Sequence, residues 1–274
     1  MHTTEPARQD VLREEPRQIA ERASDVGEQR LDRSNLDILV TSFIGGAEVS
    51  LGGLAAMTVV GAVLSAVPGL GLYPALALGG LAFPIGFLFV IVGRSELFTE
   101  NFLIPVVSVL KGERRASSLV ALWAISWFGN VLGCAGTAAL LSVPDAIGEP
   151  IRMGFAAYTE YKLSVPVLGV FVSAVLAGGV MTALTWILLA IEHPVGRIMA
   201  IGAAGYVLFA ANLSHSIVST SVLLAGFAQA QRSLAEVGGW LMVATAGNLV
   251  GGLGLVTLLR LTQANQQQEE QERP

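Results

Sequence analysis

Six long apolar runs are the feature that most constrains how this chain can fold. Crossing about 30 Å of hydrocarbon takes roughly 20 helical residues, and each run is at least that long. A water-soluble helical protein would need a polar face on these helices, which they lack. We therefore predict an all-α membrane protein with six transmembrane helices, at about 38–67, 71–93, 118–143, 164–191, 196–227 and 237–259.

Charged side chains are concentrated toward the ends of the chain. Of the 274 residues, 14% are charged and 53% are hydrophobic, whereas roughly 25% are charged in a typical soluble domain. We predict a charged N-terminal tail (1–36), a transmembrane channel domain (37–261) and a C-terminal tail (262–274). The first tail is either a surface helix or disordered, and neither tail carries a recognisable functional motif.

The short basic flanks of the runs predict the orientation. Lys and Arg in short loops are enriched on the cytoplasmic side. By this rule both termini are cytoplasmic, because one side receives most of the basic residues, namely Arg17, Arg22, Arg30, Arg33, Lys111, Arg114, Arg115, Arg197 and Arg260. The other side receives Arg152, Lys162 and Arg232.

A motif that occurs twice indicates an internal repeat. Gly129-Asn130-Val131-Leu132-Gly133 in the third run matches Gly247-Asn248-Leu249-Val250-Gly251 in the sixth, 118 residues later. Two independent helix-packing faces would also explain the match. We favour two copies of three spans each, which an odd number of spans forces into opposite orientations.

Polar residues interrupt the middle run of each predicted copy. One interruption lies at 93–101, and the corresponding one lies at about 212–220. Broken backbone at membrane depth is tolerated only inside protein or along a wet cavity, and the N-terminus of a half-helix favours an anion. The sequence therefore predicts broken helices two and five beside a permeation site.

His215, Thr99 and Lys162 are the candidate functional residues near these interruptions. His215 is the histidine well inside a run, where ionisable groups are often functional, and imidazole can exchange a proton near neutral pH. A hydrogen-bonded packing role is the alternative. Thr99 supplies a neutral hydroxyl or a helix cap. Lys162, ahead of the fourth run, either snorkels to the surface or attracts an anion.

Two charges within or at the end of apolar runs, Glu48 and Arg94, need an explanation. An unpaired charge in hydrocarbon costs roughly 2.5–3.5 kcal/mol on insertion scales. If the two residues pair, each removes most of the other's penalty, and we predict such an ion pair. The alternative is that Arg94 faces a pore mouth and recruits anions, with Glu96 or Glu100 as its partner.

The sequence contains no recognisable catalytic constellation. It lacks a Ser-His-Asp set with elbow glycines, a phosphate-binding loop and paired His or Cys at metal spacing. The single cysteine, Cys134, excludes a disulfide framework. A net charge of −5 gives no basis for nucleic-acid binding. We therefore expect no enzyme activity, no metal and no cofactor.

Together these motifs resemble those of the formate/nitrite transporter family, whose members are pentameric, aquaporin-like bacterial membrane proteins. The resemblance covers about 36–261. It rests on 42–47 and 51–54 in the first run, 83–87 and 96–99 in and after the second, the two Gly-Asn pairs, Lys162 and His215-Ser216.

The resemblance implies one pore in each protomer of a homopentamer in a bacterial inner membrane. His215 would relay the proton of a weak acid and face Thr99 between two apolar constrictions, while Lys162 would favour anions. The residues implied along the pathway are His215, Thr99, Lys162, Phe83, Phe87, Leu97, Phe98, Leu213 and Ser219, with Glu48, Arg94 and Glu96 as intramembrane charges.

The chain also departs from the family pattern. Glu48 and Arg94 replace residues that are usually apolar and small, and Gly178 stands where Asn is frequent. These departures leave the substrate open between small monovalent anions or their conjugate weak acids, such as formate and nitrite, and neutral small solutes or water. A sensor or scaffold with a sealed pore is a further alternative.

Overall fold

The computed structural model describes residues 16–67 and 69–271, which form helices without any strand. The helices are α1 (Pro16–Leu31), α2 (Asn35–Ala66), α3 (Leu72–Gly79), α4 (Pro84–Gly93), α5 (Ile104–Leu110), α6 (Ala116–Leu141), α7 (Glu149–Ser164), α8 (Val167–Ala190), α9 (Pro194–Ala210), α10 (Ser216–Gly226), α11 (Leu234–Val250) and α12 (Leu259–Gln271). A 3₁₀ turn, Phe98–Phe102, precedes α5, and a π-helical segment, Gly251–Leu258, joins α11 to α12.

Within the described residues, five helical stretches are long and apolar enough to cross a membrane. They are α2, α6, α8, the α3–α4 pair and the stretch that begins with α11 and ends at Gln267. The apolar run at 196–227 is instead divided between α9 and α10, which are each shorter than a membrane span. The chain is therefore a multi-pass membrane protein in which the runs at 71–93 and 196–227 are each built from two short helices.

The outer surface of the helices is apolar. For example, the exposed fractions of Leu81, Leu168 and Met199 are 70%, 72% and 69%. Soluble monomers seldom expose contiguous apolar surface on this scale. Lipid or further protein must therefore cover the outside of these helices.

The N-terminal tail contains a docked helix, so the surface-helix alternative holds for Pro16–Leu31. Helix α1 packs beside α5 and α12 and buries Ile19, Ala20 and Ala23. Residues 1–15, including His2, and 272–274 lie outside the described residues. The stretch expected to be a solvated C-terminal tail begins as helix α12, which runs to Gln271.

Helix α7 is an element that the sequence pattern did not predict. It follows the third run and contains acidic and basic residues as well as apolar ones. Arg232 forms two hydrogen bonds to Glu160 on α7, at 2.8 and 3.0 Å, and these bonds lower the pKa of the Glu160 carboxyl below its ordinary value. Helix α7 thereby ties the loop before α11 to the end of the molecule opposite α1.

Close backbone contacts join α2 to α6 and α8 to α11 in the same way. A Cβ atom added to Gly46 would lie 2.1 Å from the Asn130 carbonyl oxygen, and one added to Gly178 would lie 2.2 Å from that of Asn248. No side chain fits at such distances. Gly178 is therefore explained by packing, because the backbone of α11 occupies the space that an Asn side chain would need.

We predict that Gly178→Asn destabilises the protein by about 1–3 kcal/mol or more, as overpacking in a close-packed core does. The measurement is the midpoint of thermal unfolding of the detergent-purified protein. Gly202→Asn is the matched control, because an added Cβ at Gly202 meets no atom within 4 Å. Equal midpoints for the two variants would contradict the packing explanation.

Candidate permeation site

The first interruption is held together by the side chain of Asn130. Helix α4 ends at Gly93, and the next helical turn begins at Phe98. The Asn130 amide oxygen accepts from the Phe98 N–H at 2.8 Å, and its nitrogen donates to the carbonyls of Ser42 and Glu96 at 2.7 and 2.8 Å. One buried amide thus satisfies two backbone groups that the absence of regular helix leaves without helical partners, and its third bond ties the amide to Ser42, inside α2.

Asn248 does the same at the second interruption. Helix α9 ends at Ala210 and α10 begins at Ser216. The Asn248 amide oxygen accepts from the Ser216 N–H at 2.8 Å, and its nitrogen donates to the carbonyls of Ala174 and Ser214 at 2.8 and 3.0 Å. The Gly-Asn motif therefore holds a break, which is a role that helix packing alone did not suggest.

The two networks correspond in the two bonds that each amide makes to its interruption, whereas the third bonds, to Ser42 and Ala174, do not share one spacing. The equivalent positions are each 118 residues apart in the sequence, the spacing of the Gly-Asn motif: Glu96 and Ser214, Phe98 and Ser216, Asn130 and Asn248. Equivalent hydrogen bonds at equivalent positions are difficult to explain by two unrelated packing faces.

Thr99 and His215 meet between the two interruptions. The Thr99 hydroxyl oxygen lies 2.8 Å from His215 Nε2, and the two residues are 0% and 1% exposed. His215 is also the N-cap of α10, and its Nδ1 accepts from the Val218 N–H at 3.1 Å. In a neutral imidazole that accepts at Nδ1, the proton is on Nε2. The hydrogen bonds therefore assign an Nε2–H group that donates to Thr99, which leaves the Thr99 hydroxyl hydrogen free to donate elsewhere.

Aromatic and aliphatic side chains surround this pair. The Phe87 ring lies 6.1 Å from the His215 ring and 5.0 Å from the Phe83 ring. Phe83 in turn stacks on Phe209 at 5.1 Å, a residue of α9 that the sequence analysis did not select. Phe83, Phe87, Leu97 and Phe98 are all buried, and Leu213 is half-buried.

Lys162 is buried and does not snorkel to the surface. Its side chain is 2% exposed, and Nζ donates to the carbonyls of Asn212 and Leu213 at 2.6 and 3.2 Å and to the Ser214 hydroxyl at 3.4 Å. Its Nζ also lies 5.6 Å from the centre of the Tyr158 ring. Lys162 therefore places its amino group, whose pKa burial lowers to about 7, directly against the second interruption.

Ser219 lies near Lys162 through a shared neighbour. The Tyr158 hydroxyl, beneath the Lys162 ammonium, donates to the Ser219 hydroxyl oxygen at 3.1 Å. Tyr158 is buried and was not predicted, because it belongs to α7, which the apolar pattern did not reveal.

In the described residues, no group of three or more His, Cys, Asp or Glu side chains is arranged to hold a metal.

Glu96 is paired with the N-terminal arginines. Its carboxylate accepts from Arg33 at 2.5 Å and from the Asn101 amide at 2.6 Å, and it lies 3.3 Å from Arg30. The predicted alternative of an Arg94–Glu96 or Arg94–Glu100 pair is wrong, since the described residues contain no such pair. The tail that lacked a recognisable motif thus supplies two side chains to the first interruption.

The predicted ion pair between Glu48 and Arg94 is also absent from the described part of the chain. Glu48 Oε1 approaches Gly93, where an added Cβ would lie 3.3 Å away, and its Oε2 is buried without a hydrogen bond. Arg94 ends α4 with a left-handed φ of 60°, and its exposed side chain lines a cavity instead. Because the backbone turns at Arg94, its side chain lines this cavity. The two charges therefore do not pair, although their spans are neighbours in the sequence.

This cavity lies where α1 and the ends of α4 and α8 meet the first interruption, and it measures about 500 Å³. We call it the arginine vestibule. Its charged lining residues are Arg30, Arg33, Arg94, Arg197, Glu96 and Glu100.

Comparison with known proteins gives a consistent result. A model of the family described as "Formate/nitrite transporter" matches residues 17–262. A "Probable formate transporter" of Methanothermobacter thermautotrophicus is 27% identical over 81% of this chain and 86% of its own. "Formate channel BtFdhC" of Bacillus thuringiensis is 25% identical over 88% and 92%.

Solved structures share the fold. One described as "FNT family ion channel" superposes with a TM-score of 0.74 at 22% identity, covering 90% of this chain and 97% of that one. A "Pentameric formate channel with formate bound" gives 0.66 at 18% identity, covering 83% and 96%. The family model spans most of the chain, and we conclude that this protein belongs to the formate/nitrite transporter family.

Proposed function

We propose that the protein is a channel or transporter for small monovalent anions and their conjugate weak acids, with formate and nitrite as the expected substrates. The observation that carries this proposal is the buried Thr99–His215 contact of 2.8 Å. It is a polar pair in apolar surroundings, at the point where two broken segments meet. Relatives named as a formate transporter and a formate channel support the substrate class.

The apolar neighbours of this pair would select for the neutral form of the substrate. Phe83 and Phe87 would form one constriction, and Leu97 and Phe98 the other, with Leu213 beside them. Moving a bare anion through such a region costs far more than moving its neutral acid, because the charge loses its hydration. A weak acid that is protonated on entering and deprotonated on leaving would avoid that cost.

His215 is the proposed proton-exchanging group, and its hydrogen bonds define what this role requires. Val218 N–H occupies Nδ1, so the resting ring is neutral and a second proton must displace this helix-capping bond. The Thr99 hydroxyl, which accepts from the ring, can donate to a substrate oxygen. At rest, the pair thus offers the Thr99 hydroxyl as a hydrogen-bond donor to an anion. His215 exchanges a proton only when the hydrogen bond from the Val218 N–H to Nδ1 is broken.

Lys162 would attract the anion toward the second interruption. Its ammonium group is held against three oxygens of that segment, and the neighbouring hydroxyl of Ser219 is held by Tyr158. A cation near a constriction lowers the energy of an approaching anion. We propose that Lys162 sets the preference of the pathway for anions from the side opposite the arginine vestibule.

The proposed architecture consists of two inverted three-helix copies within residues 37–261, with helices two and five broken. The matching hydrogen bonds of Asn130 and Asn248 support the repeat. We further propose that five copies assemble, as in the neighbour described as a pentameric formate channel. Each copy would carry its own pore, in a bacterial inner membrane with both termini in the cytoplasm.

A neutral-solute facilitator is the second candidate, because the neutral His215 and buried Phe83 and Phe87 would also suit an uncharged permeant. A stopped-flow assay with protein in liposomes, comparing formate, nitrite, acetate and glycerol, separates the two. Rapid glycerol flux without formate or nitrite flux would replace the proposed function with this one. Absence of all flux would favour a sealed sensor or scaffold.

We predict that His215→Asn abolishes the pH-dependent part of formate flux and leaves the protein folded. Asn can still cap α10, because its Oδ1 takes the place of Nδ1, but it does not titrate. His193→Asn is the matched control, because His193 caps α9 with its own Nδ1 on an exposed surface. An unchanged flux and pH profile in His215→Asn would remove His215 from the mechanism.

We predict that a reporter fused after Pro274 stays in the cytoplasm. Alkaline phosphatase at this site should be inactive, and green fluorescent protein should be fluorescent. The same reporters inserted after Asp145, in the loop between α6 and α7, should show the opposite pattern. Active phosphatase after Pro274 would refute the proposed six-span topology.

A further inference from the structure

We propose that the arginine vestibule is a binding site for small planar oxyanions and that Arg94 is the residue that makes it one. This inference rests on the proposed function, since it adds a capture site at one mouth of the proposed pathway. The vestibule is lined by Glu96, which is followed directly by Leu97, Phe98 and Thr99 in the chain. An anion held there would be at the start of the segment that leads to His215.

The charges of the vestibule do not balance. Four arginines and two glutamates line it, which leaves an excess of positive charge. Arg30 is paired with Glu96 and Glu100, and Arg33 is paired with Glu96 and with Asp37 outside the cavity lining. The excess therefore lies with Arg94 and Arg197.

These two remaining arginines differ in what holds them. Arg197 donates to the carbonyl oxygens of Leu188 and Ile191 at the end of α8, so its guanidinium is fixed and partly compensated. For Arg94, the described part of the chain offers neither a carboxylate within ion-pair distance nor a hydrogen-bond acceptor. Its donors are therefore available to a ligand.

The backbone at Arg94 indicates that the side chain is not retained for structural reasons. Arg94 is the C-cap of α4 with a φ of 60°, a left-handed conformation in which Gly is the usual residue because it has no Cβ. An arginine at this position carries a cost that glycine would avoid. Asp145, Asn212 and Gln231 share this conformation, so the backbone at Arg94 motivates a functional hypothesis that rests on the unpaired side chain in the cavity.

The corresponding position of the second copy shows that the geometry does not require a charge. Asn212 lies 118 residues after Arg94 and also has a left-handed φ, of 52°. Asn is among the residues that tolerate this conformation best. The two copies thus share the turn, whereas only the first places a cation on it.

The chemistry of guanidinium selects the ligand class. Its planar fork presents two parallel N–H groups, which match the two oxygens of a carboxylate or of nitrite and do not match a single-centred halide. A cavity of about 500 Å³ accommodates such an ion with part of its hydration. We therefore expect formate and nitrite to bind more tightly than chloride.

The test is equilibrium binding of sodium formate to the detergent-purified full-length protein, measured by calorimetry for three variants. Arg94→Gly should weaken formate binding by about tenfold, the equivalent of losing one charge-assisted contact, while its thermal midpoint stays equal or rises. Arg94→Lys should keep the charge but lose the preference for formate over chloride. Arg115→Gln is the matched control, because Arg115 is an exposed arginine at the same end of the molecule and outside the cavity lining.

Two results would overturn the inference. One is formate binding by Arg94→Gly equal to that of the unmodified protein. The other is an equal loss in Arg115→Gln, which would show that general surface charge is responsible.

A flux assay separates the inference from the proposed function. If the unmodified protein carries formate and Arg94→Gly raises the half-saturating concentration only for formate added on the α1 side, both proposals are supported. Formate binding that depends on Arg94 in a protein without formate flux would refute the proposed function and leave the site. Flux that has the same half-saturation in Arg94→Gly from both sides would refute the site as a capture step and leave the function.

Discussion

Hydrogen bonding of the interrupted backbone is the constraint on which the rest of this structure depends. In a membrane, each unpaired N–H or C=O group costs several kcal/mol, so a helix can break only where other groups replace its hydrogen bonds. The amides of Asn130 and Asn248 do this with two bonds each, and a third bond ties each amide to α2 or α8. Because they hold the two segments, Thr99 and His215 can meet in the interior.

The charged groups near these segments are each stabilised in a different way. Glu96 is neutralised by Arg30 and Arg33 of the N-terminal region. Lys162 is held by carbonyl and hydroxyl oxygens of the second interruption. Glu48 and Glu100 each leave a buried oxygen without a hydrogen bond; Glu100 still lies 3.8 Å from Arg30, whereas nothing in the structure explains the presence of Glu48.

The apolar surroundings give these contacts their importance in the proposed function. Apolar side chains around Thr99 and His215 raise the energy of a bare charge, so in the proposed pathway the few polar groups would decide what can pass. The N-terminal region contributes to this arrangement through Arg30 of α1 and Arg33 of the turn that follows it, although both lie outside the apolar runs. The first interruption and the N-terminal region are therefore physically one unit.

The sequence by itself determined the apolar runs, the positions of both interruptions and the polar residues beside them, whereas the expectation that Thr99 and His215 face each other came from the family resemblance. Run length and the spacing of 118 residues can be read directly from the order of the residues, because a membrane-spanning segment must be apolar along its own length. The partners of charged side chains were decided only by tertiary structure. Glu96 pairs with Arg30 and Arg33 rather than with Arg94 because α1 folds back over the first interruption, and no spacing rule relates residues on separate helices. Gly178 is understood for the same reason, since only the packed position of α11 shows that no side chain fits there.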